Sequence, residues 1–468
     1  MSKYKLLIGG KLVTTDETVD VLNPANEEVF TVVPKAGKKE LNDAVKAAEG
    51  AFKSFCTTTI VQRQALLNKI TEAIVANKDK IAPVLTMEQG KPLEMANMEI
   101  DYAMMFCQYF AGMDIPVEVL MDTDEQRVEL HHTPLGVVAG ILPWNFPFLL
   151  AVSKIAPALL AGNSIIIKPG PTTPVTTLML GEIIQELVPP GLVNILADND
   201  DLGSEITAHP GIKKVSFTGS IETGKKVMAN SVDTLKRLTL ELGGNDAAIV
   251  LDDIDPKEMA ERIFGAAFMN SGQVCVALKR LYVQEGIYDE MCDEMAKLAN
   301  GAVVGDGMIE GSHFGPVQNK EQFEIVKGFV EDAKQNGKII AGGEIPDKPG
   351  YFIPITIVRD ILDGTRLVDE EPFGPILPII KFKKIDDVIK RANGLPYGLG
   401  GSVWSRDLDK AHAIAKQMDA GTIWVNQHCA FGPHIPFPAC KDSGIGVEWG
   451  KEGLYEFTAL RVINISKV

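Results

Sequence analysis

Between residues 136 and 250 short β-rich runs alternate with helical patterns, and this alternation constrains the fold more than any other feature of the chain. Val137-Val138-Ala139-Gly140-Ile141 reads as a strand, Leu149 to Leu160 as a helix, and Ser164 to Ile167 as the next strand. Pro174 to Val188 follows as a helix opened by proline, then Val193 to Leu196 and Lys214 to Phe217 as further strands. A βαβ series of this kind needs a parallel sheet covered on both faces, which places ligand-binding loops at the carboxyl ends of its strands. A second α/β series starts near Gly243-Gly244, runs through helices at Asp255 to Asn270 and Glu321 to Asn336, and ends around Lys441. The tail, Leu460 to Ile465, is a lone β-rich segment that needs a pairing partner in its own or a neighbouring subunit.

A chain of 468 residues is large enough for two or more such cores. Its net charge of −16, with scattered lysines, repels a phosphate backbone and excludes nucleic acid as a partner. The apolar stretch Leu135 to Gly162 has the length of a membrane span but holds Pro143, Pro147, Pro157, Asn145 and Lys154, so it reads as buried strand, loop and helix with no membrane role. The N-terminal apolar run Leu6-Leu7-Ile8 is too short for an export signal. Six cysteines without CxxC pairs suit a reducing cytoplasm.

Four segments carry candidate chemistry. In Asn270-Ser271-Gly272-Gln273-Val274-Cys275 a helical pattern ends in a Ser-Gly turn, so the Cys275 thiol follows a loop; Cys56, Cys107 and Cys292 lie in helical patterns and read as small buried hydrophobes. Glu241 ends an apolar strand before a glycine pair, where partial burial raises a carboxyl from about 4.3 toward neutrality and suits a general base. Pro143-Trp144-Asn145-Phe146-Pro147 holds an amide between two prolines after a strand, placed to donate to a developing oxyanion. Phe217-Thr218-Gly219-Ser220, with Gly224 following, forms a glycine turn where a pyrophosphate can approach helix N–H groups, although it is no GxGxxG.

With Asn23-Pro24-Ala25, Lys168-Pro169, Glu371-Pro372-Phe373-Gly374-Pro375 and Ser443-Gly444-Ile445-Gly446, these segments stand in an order and spacing that resembles the aldehyde dehydrogenase superfamily along nearly the whole chain. The resemblance implies an α/β fold with two Rossmann-like parallel-sheet domains and a small β oligomerisation element. Residues 1–115 and 135–242 would bind the dinucleotide, 243–442 would be catalytic, and 116–134 with 443–468 would bridge subunits of a homodimer or homotetramer. It also implies NAD(P)-dependent oxidation of an aldehyde to the acid: Cys275 attacks the aldehyde, Asn145 and the Cys275 N–H hold the oxyanion, hydride leaves to the nicotinamide, and Glu241 activates water against the thioester. A free thiol titrates near 8.5, so the thiolate needs a local source of stabilisation. On the same ground Trp144, Lys168, Gly219, Ser220, Gly224, Leu242, Glu371 and Phe373 are cofactor residues, with Lys168 at the adenosine ribose, and Glu448 falls near the catalytic glutamate.

The chain departs from the family pattern in ways that bear on specificity. Lys168-Pro169-Gly170-Pro171 lacks the ribose-binding carboxylate of the frequent Lys-Pro-Ser-Glu, and a proline that repels no 2′-phosphate predicts that NADP is accepted at least comparably with NAD. Pro438-Ala439-Cys440-Lys441 replaces a Gly-Gly, and Asn245-Asp246 stands where lysine is common. Candidate tunnel residues are Phe146, Phe148, Ser153, Met269, Val274, Val276, His428 and Phe431, which predict a neutral or apolar aldehyde. Relatives acting on carboxylated semialdehydes often carry an arginine where this chain has Val152-Ser153-Lys154. The competing readings are a semialdehyde dehydrogenase, a coenzyme A-acylating enzyme, which Glu241 disfavours, and a non-catalytic scaffold. His428, Cys429, His434 and Cys440 lack the spacing of a zinc site, so no metal is expected.

Overall fold

The computed structural model describes residues 2–468. Five parallel strands form the centre of the first sheet: β1 (Val137–Ile141), β2 (Ser164–Lys168), β3 (Val193–Ile195), β4 (Ile212–Thr218) and β5 (Arg237–Glu241), in the order β3-β2-β1-β4-β5. Nearly every residue of β1, β2 and β3 is buried, as expected where helices cover both faces of a parallel sheet. The strand order reverses between β1 and β4, the crevice at which doubly wound sheets bind ligands. The register pairs Ile141 with Lys168, Phe217 with Ile141 and Thr218 with Glu241, so the carboxyl ends of the strands lie nearly level. Whatever follows those residues is therefore delivered to one rim.

The apolar stretch at 135–162 resolves into β1, a five-residue loop and the fully buried helix Pro147–Leu160. That helix begins at the second proline of the loop, whose fixed φ suits a first helical turn. No helix among the described residues is long and apolar enough to cross a membrane.

A second, seven-stranded sheet is built from residues 246–425 and is parallel except for the edge strand Lys338–Ala341. The helix Pro256–Phe268, capped by the Asp255 carboxylate on Lys257 N–H, leads from its first strand into the turn before Cys275. The tail forms one long strand, Thr458–Ser466, paired along its whole length with Gln126–Pro134 of the same chain, and Glu118–Asp122 completes this third sheet. The stretch from 443 also joins other sheets: Gly444–Ile445 adds an antiparallel edge to β5, and Val447–Glu448 pairs with Phe437–Pro438. The backbone is drawn there because Leu242 N–H donates to Ser443 O at 2.9 Å and Ser443 Oγ to Gly243 O at 2.7 Å.

Candidate active site

A cavity of about 290 Å³ opens between the two large sheets, against the ends of β1, β4 and β5. Cys275, Glu241 and Asn145 all line it, although they come from three separate parts of the chain. Cys275 arrives through a strained turn in which Asn270, Ser271 and Gly272 have φ of 51°, 58° and 74°. Glycine is required at the last of these, since a β-carbon there would lie 2.3 Å from Gly374 O. The turn is held by Ser271 Oγ on Gly315 O at 2.8 Å and by Gln273, whose Oε1 accepts Gln318 N–H at 2.9 Å.

Asn145 is buried, and its Nδ2 donates to Gln273 O at 3.0 Å, which aims the amide at the cysteine loop. Its backbone oxygen accepts Lys91 Nζ at 2.9 Å and Asn270 Nδ2 at 3.1 Å. Lys91 in turn pairs with Glu99 at 2.5 Å, both side chains fully buried, and Glu99 accepts the N–H groups of Phe148 and Leu149 at 3.0 and 3.1 Å. This network fixes the rigid loop at both ends. Nothing in the local sequence around Lys91 or Glu99 signals it, because its members are brought together only by the packing of the helix Leu93–Ala111 on the helix Pro147–Leu160.

Glu241 ends β5, and one of its buried carboxylate oxygens has no hydrogen-bond partner. Burial, and then the charge of Glu448, push its carboxyl up to about 8, while a hydrogen bond from the Cys275 thiol and the Lys154 charge pull the other way. The thiol of Cys275 is raised well above its usual range, first by burial and next by Glu241, with Lys279 opposing. Thiol and carboxylate thus face each other as a coupled pair. Behind them Lys154 forms an ion pair with Glu448 and donates to Ser216 Oγ at 3.0 Å, so the Lys154 ammonium is engaged away from the cavity.

Lys279 has no counterpart in the sequence reading. It sits four residues after Cys275, is buried, and its ammonium meets Cys275 O at 2.5 Å, Gly244 O at 2.8 Å and Glu371 Oε1 at 2.8 Å. A cation therefore underlies the nucleophile's own backbone and clamps Glu371, whose remaining contacts include Gly244 N–H at 3.2 Å. The spacing alone could have raised it, since a lysine one helical turn or a short loop past a candidate thiol is a ready source of thiolate stabilisation.

The chemistry of the remaining rim fits a dinucleotide. Gly219, Ser220 and Leu242 line the cavity, and the Ser220 hydroxyl caps the helix Ile221–Asn230 through Thr223 N–H at 3.2 Å, leaving helix N–H groups toward the groove. Gly224 lies off the lining; its role is close approach, because a β-carbon there would stand 2.5 Å from the Leu242 side chain. Thr218 Oγ1 lines the cavity buried without a partner. Trp144 and Phe373 meet edge to face at 5.3 Å and Glu371 stands beside them. Lys168 ends β2 two strands from β4, beyond the cavity, and is paired with Asp198 and Asp200 at 2.9 and 3.1 Å.

On the substrate side Phe146, Val274, Val276 and Phe431 line the cavity, joined by Leu149, Leu150, Phe437 and Trp449. Phe437 stacks on Trp449 at 4.8 Å and Phe431 meets the same ring at 5.6 Å. Four expected tunnel residues lie elsewhere. Phe148 is fully buried because the helix turns it away from Leu149 and Leu150, and Ser153, one turn farther along, bonds back to Leu150 O at 3.2 Å. His428 is buried with its ring held between Ser402 Oγ at 2.9 Å and Val276 O at 2.8 Å, so it supports the backbone beside the cysteine from behind. Met269 also lies off the lining.

Residues 12–463 match the sequence profile of the Aldehyde dehydrogenase family. The chain is 38% identical to a mitochondrial aldehyde dehydrogenase of Leishmania tarentolae over 99% of this chain and 95% of that protein. It is 37% identical to the phenylacetaldehyde dehydrogenase of Pseudomonas fluorescens, covering 99% and 96%. The NAD+ complex of an aldehyde dehydrogenase from Bacillus cereus superposes with a TM-score of 0.96 at 33% identity, over 99% of this chain and 96% of that one. With its motifs in family order, its two parallel sheets and a likeness that spans almost every residue, this chain belongs to the aldehyde dehydrogenase family.

Proposed function

We propose that this NAD(P)-dependent aldehyde oxidoreductase converts a neutral, apolar aldehyde to its carboxylic acid through covalent attachment to Cys275. The observation that carries the reading is the meeting of Cys275, Glu241 and Asn145 in a chamber whose other walls are mostly aliphatic and aromatic. Cys275 Sγ, its proton released to solvent, bonds as the thiolate to the carbonyl carbon while the carbonyl π pair moves onto oxygen. The charge that develops on oxygen is met by Asn145 Nδ2, pre-aimed by its contact with Gln273 O, and by the Cys275 N–H. A bound nicotinamide supplies a two-electron acceptor for the hydride of the aldehyde carbon. Gly219, Ser220, Leu242, Trp144, Glu371 and Phe373 would hold it, with Lys168 farther along the strand ends.

The resulting thioester on Cys275 is hydrolysed by water that gives its proton to Glu241, whose raised affinity for protons suits a base working near pH 8. Among the described residues, Glu241 and Glu371 are the acid side chains on the lining and no lysine or arginine joins them there, so a substrate with a distal carboxylate would lie unpaired. A nucleophile that must stay reduced suits a reducing compartment such as the cytoplasm. The third sheet exposes Leu460 and Val462 on one face of the tail strand and Ile463 and Ile465 on the other, with Val119, Leu120 and Met121 on the far strand, an apolar surface that a second copy would cover in a homodimer or homotetramer.

The test is a panel of aldehydes with purified parent and Cys275→Ala, following cofactor reduction. The parent should favour an aryl or alkyl aldehyde, and the variant should be inert with every substrate. Turnover by Cys275→Ala would remove the covalent route.

A further inference from the structure

The five parallel strands end level, in the order β3-β2-β1-β4-β5, and neighbouring strands stand about 4.8 Å apart. From Glu241 on β5 to Lys168 on β2 is three spacings, roughly 14 Å, a distance a dinucleotide spans and a mononucleotide does not. The loop after β2 packs directly on the loop after β1, since a β-carbon on Gly170 would lie 3.0 Å from the backbone of Pro143, so the Lys168 end adjoins the cavity lining at Pro143 and Trp144. A ligand with its reacting ring at Cys275 therefore brings its other nucleoside to Lys168.

At that end the chain has a charge arrangement of its own. Pro171 stands where a carboxylate could have followed Lys168, and the loop after β3 supplies two instead. Asp198 is buried, its Oδ2 accepts Leu202 N–H at 2.8 Å, and its Oδ1 has no hydrogen-bond partner of good geometry, being held by charge to the ammonium 2.9 Å away. Asp200 comes from the open side: its side chain is 76% exposed, its φ is 63°, and Oδ1 meets Lys168 Nζ at 3.1 Å, leaving Oδ2 for a ligand. One cation shared by two anions leaves a net charge of −1, so the lysine has no spare attraction to offer a phosphate.

We propose that Asp200 is the residue that accepts the adenosine ribose hydroxyls and turns away a 2′-phosphate, making NAD the preferred cofactor. The proposal rests on the dinucleotide reading given above and reverses the expectation that NADP is accepted at least comparably. A ribose 2′,3′-diol offers two O–H donors to a carboxylate, whereas a 2′-phosphate brings close to two negative charges and no donor.

Calorimetric titration of the full chain with NAD and with NADP, for the parent and for Asp200→Asn, decides it without any turnover. Asparagine keeps an acceptor oxygen and removes the charge, and the exposed position leaves folding unaffected. The parent should bind NAD on the order of tenfold or more tighter than NADP, with the gap narrowing as salt is added. D200N should keep most of its NAD affinity and gain NADP affinity, shifting the ratio by about tenfold. A parent that binds both equally, or a ratio unmoved in D200N while both still bind, would overturn the role of Asp200 alone. A folded parent that binds neither dinucleotide would overturn the cofactor reading along with it.

Discussion

Replacing Glu241 by glutamine tests both halves of the reasoning about this carboxylate, its energetic cost in the fold and its work as a base. Burial and the Glu448 charge raise it from 4.5 to about 8, so the folded protein keeps a proton that the unfolded chain releases once the pH exceeds 4.5. The sign follows: a raised carboxylate lowers stability progressively as pH climbs from 4.5 to about 8, and the loss is complete above that. Each unit is worth about 1.4 kcal/mol, which makes the cost about 3 kcal/mol at pH 7 and about 5 kcal/mol at pH 9. Glutamine is neutral, of the same shape, and bears none of this. For a chain of 468 residues unfolding entropy is roughly 1 kcal/mol per degree, so Glu241→Gln should melt ~3 °C above the parent at pH 7 and ~5 °C above it at pH 9, with little difference at pH 4.5. Thermal scans at one heating rate measure this. In rapid-mixing experiments the parent's steady rate should rise through pH 8, while the variant gives a burst of reduced cofactor and then stalls on the thioester. A melting difference that is the same at pH 4.5 and pH 9 would refute the buried-carboxylate argument, and steady turnover by the variant would refute the role as base.

The remaining predictions concern the groups around it. Lys279→Met should move the pH profile of Cys275 alkylation by iodoacetamide upward, because Lys279 is the cation that opposes the rise of the thiol, and should cost about 3 kcal/mol by leaving Glu371 without its partner. An unmoved alkylation profile would remove Lys279 from thiol activation. Succinic semialdehyde should give a lower kcat/KM than phenyl or straight-chain aldehydes, since Lys154 is already engaged by Glu448; the highest kcat/KM in the panel would contradict this. Val462→Lys with Leu460→Lys on the exposed tail strand should lower the mass seen in light scattering, and an unchanged mass would place the subunit contact elsewhere.

The parallel sheet was readable because strands buried on both faces must be continuous apolar runs, and Val137–Ile141 and Ser164–Lys168 are such runs in sequence as in space. Residues just past strands were readable for the same reason: Glu241 and Asn145 interrupt apolar segments with polar groups whose burial needs explaining, and both line the cavity. Side-chain direction was harder. Phe148 and Ser153 lie on the same helix as Leu149 and Leu150, and which face of an all-buried helix meets the cavity depends on the entry angle set by Lys91 and Glu99, 50 residues upstream.

Paired charges were the least legible of all, and Lys168 shows why this matters for function. In sequence it is a cation near a proline, which argues attraction for a phosphate. In space it is the centre of a triad whose two carboxylates come from a loop some thirty residues later, and the local field has the opposite sign. Lys154 and Lys279 behave alike, each taken up by a glutamate more than ninety residues distant. A lysine's contribution to specificity depends on the charge left after its partners are counted, because a buried ammonium without a partner would lose its charge or unfold its surroundings. Reading specificity from a motif therefore needs the partner as well as the residue, and in this chain the residue that matters at the ribose end is the exposed anion, Asp200, that shares the lysine and still has an oxygen to offer.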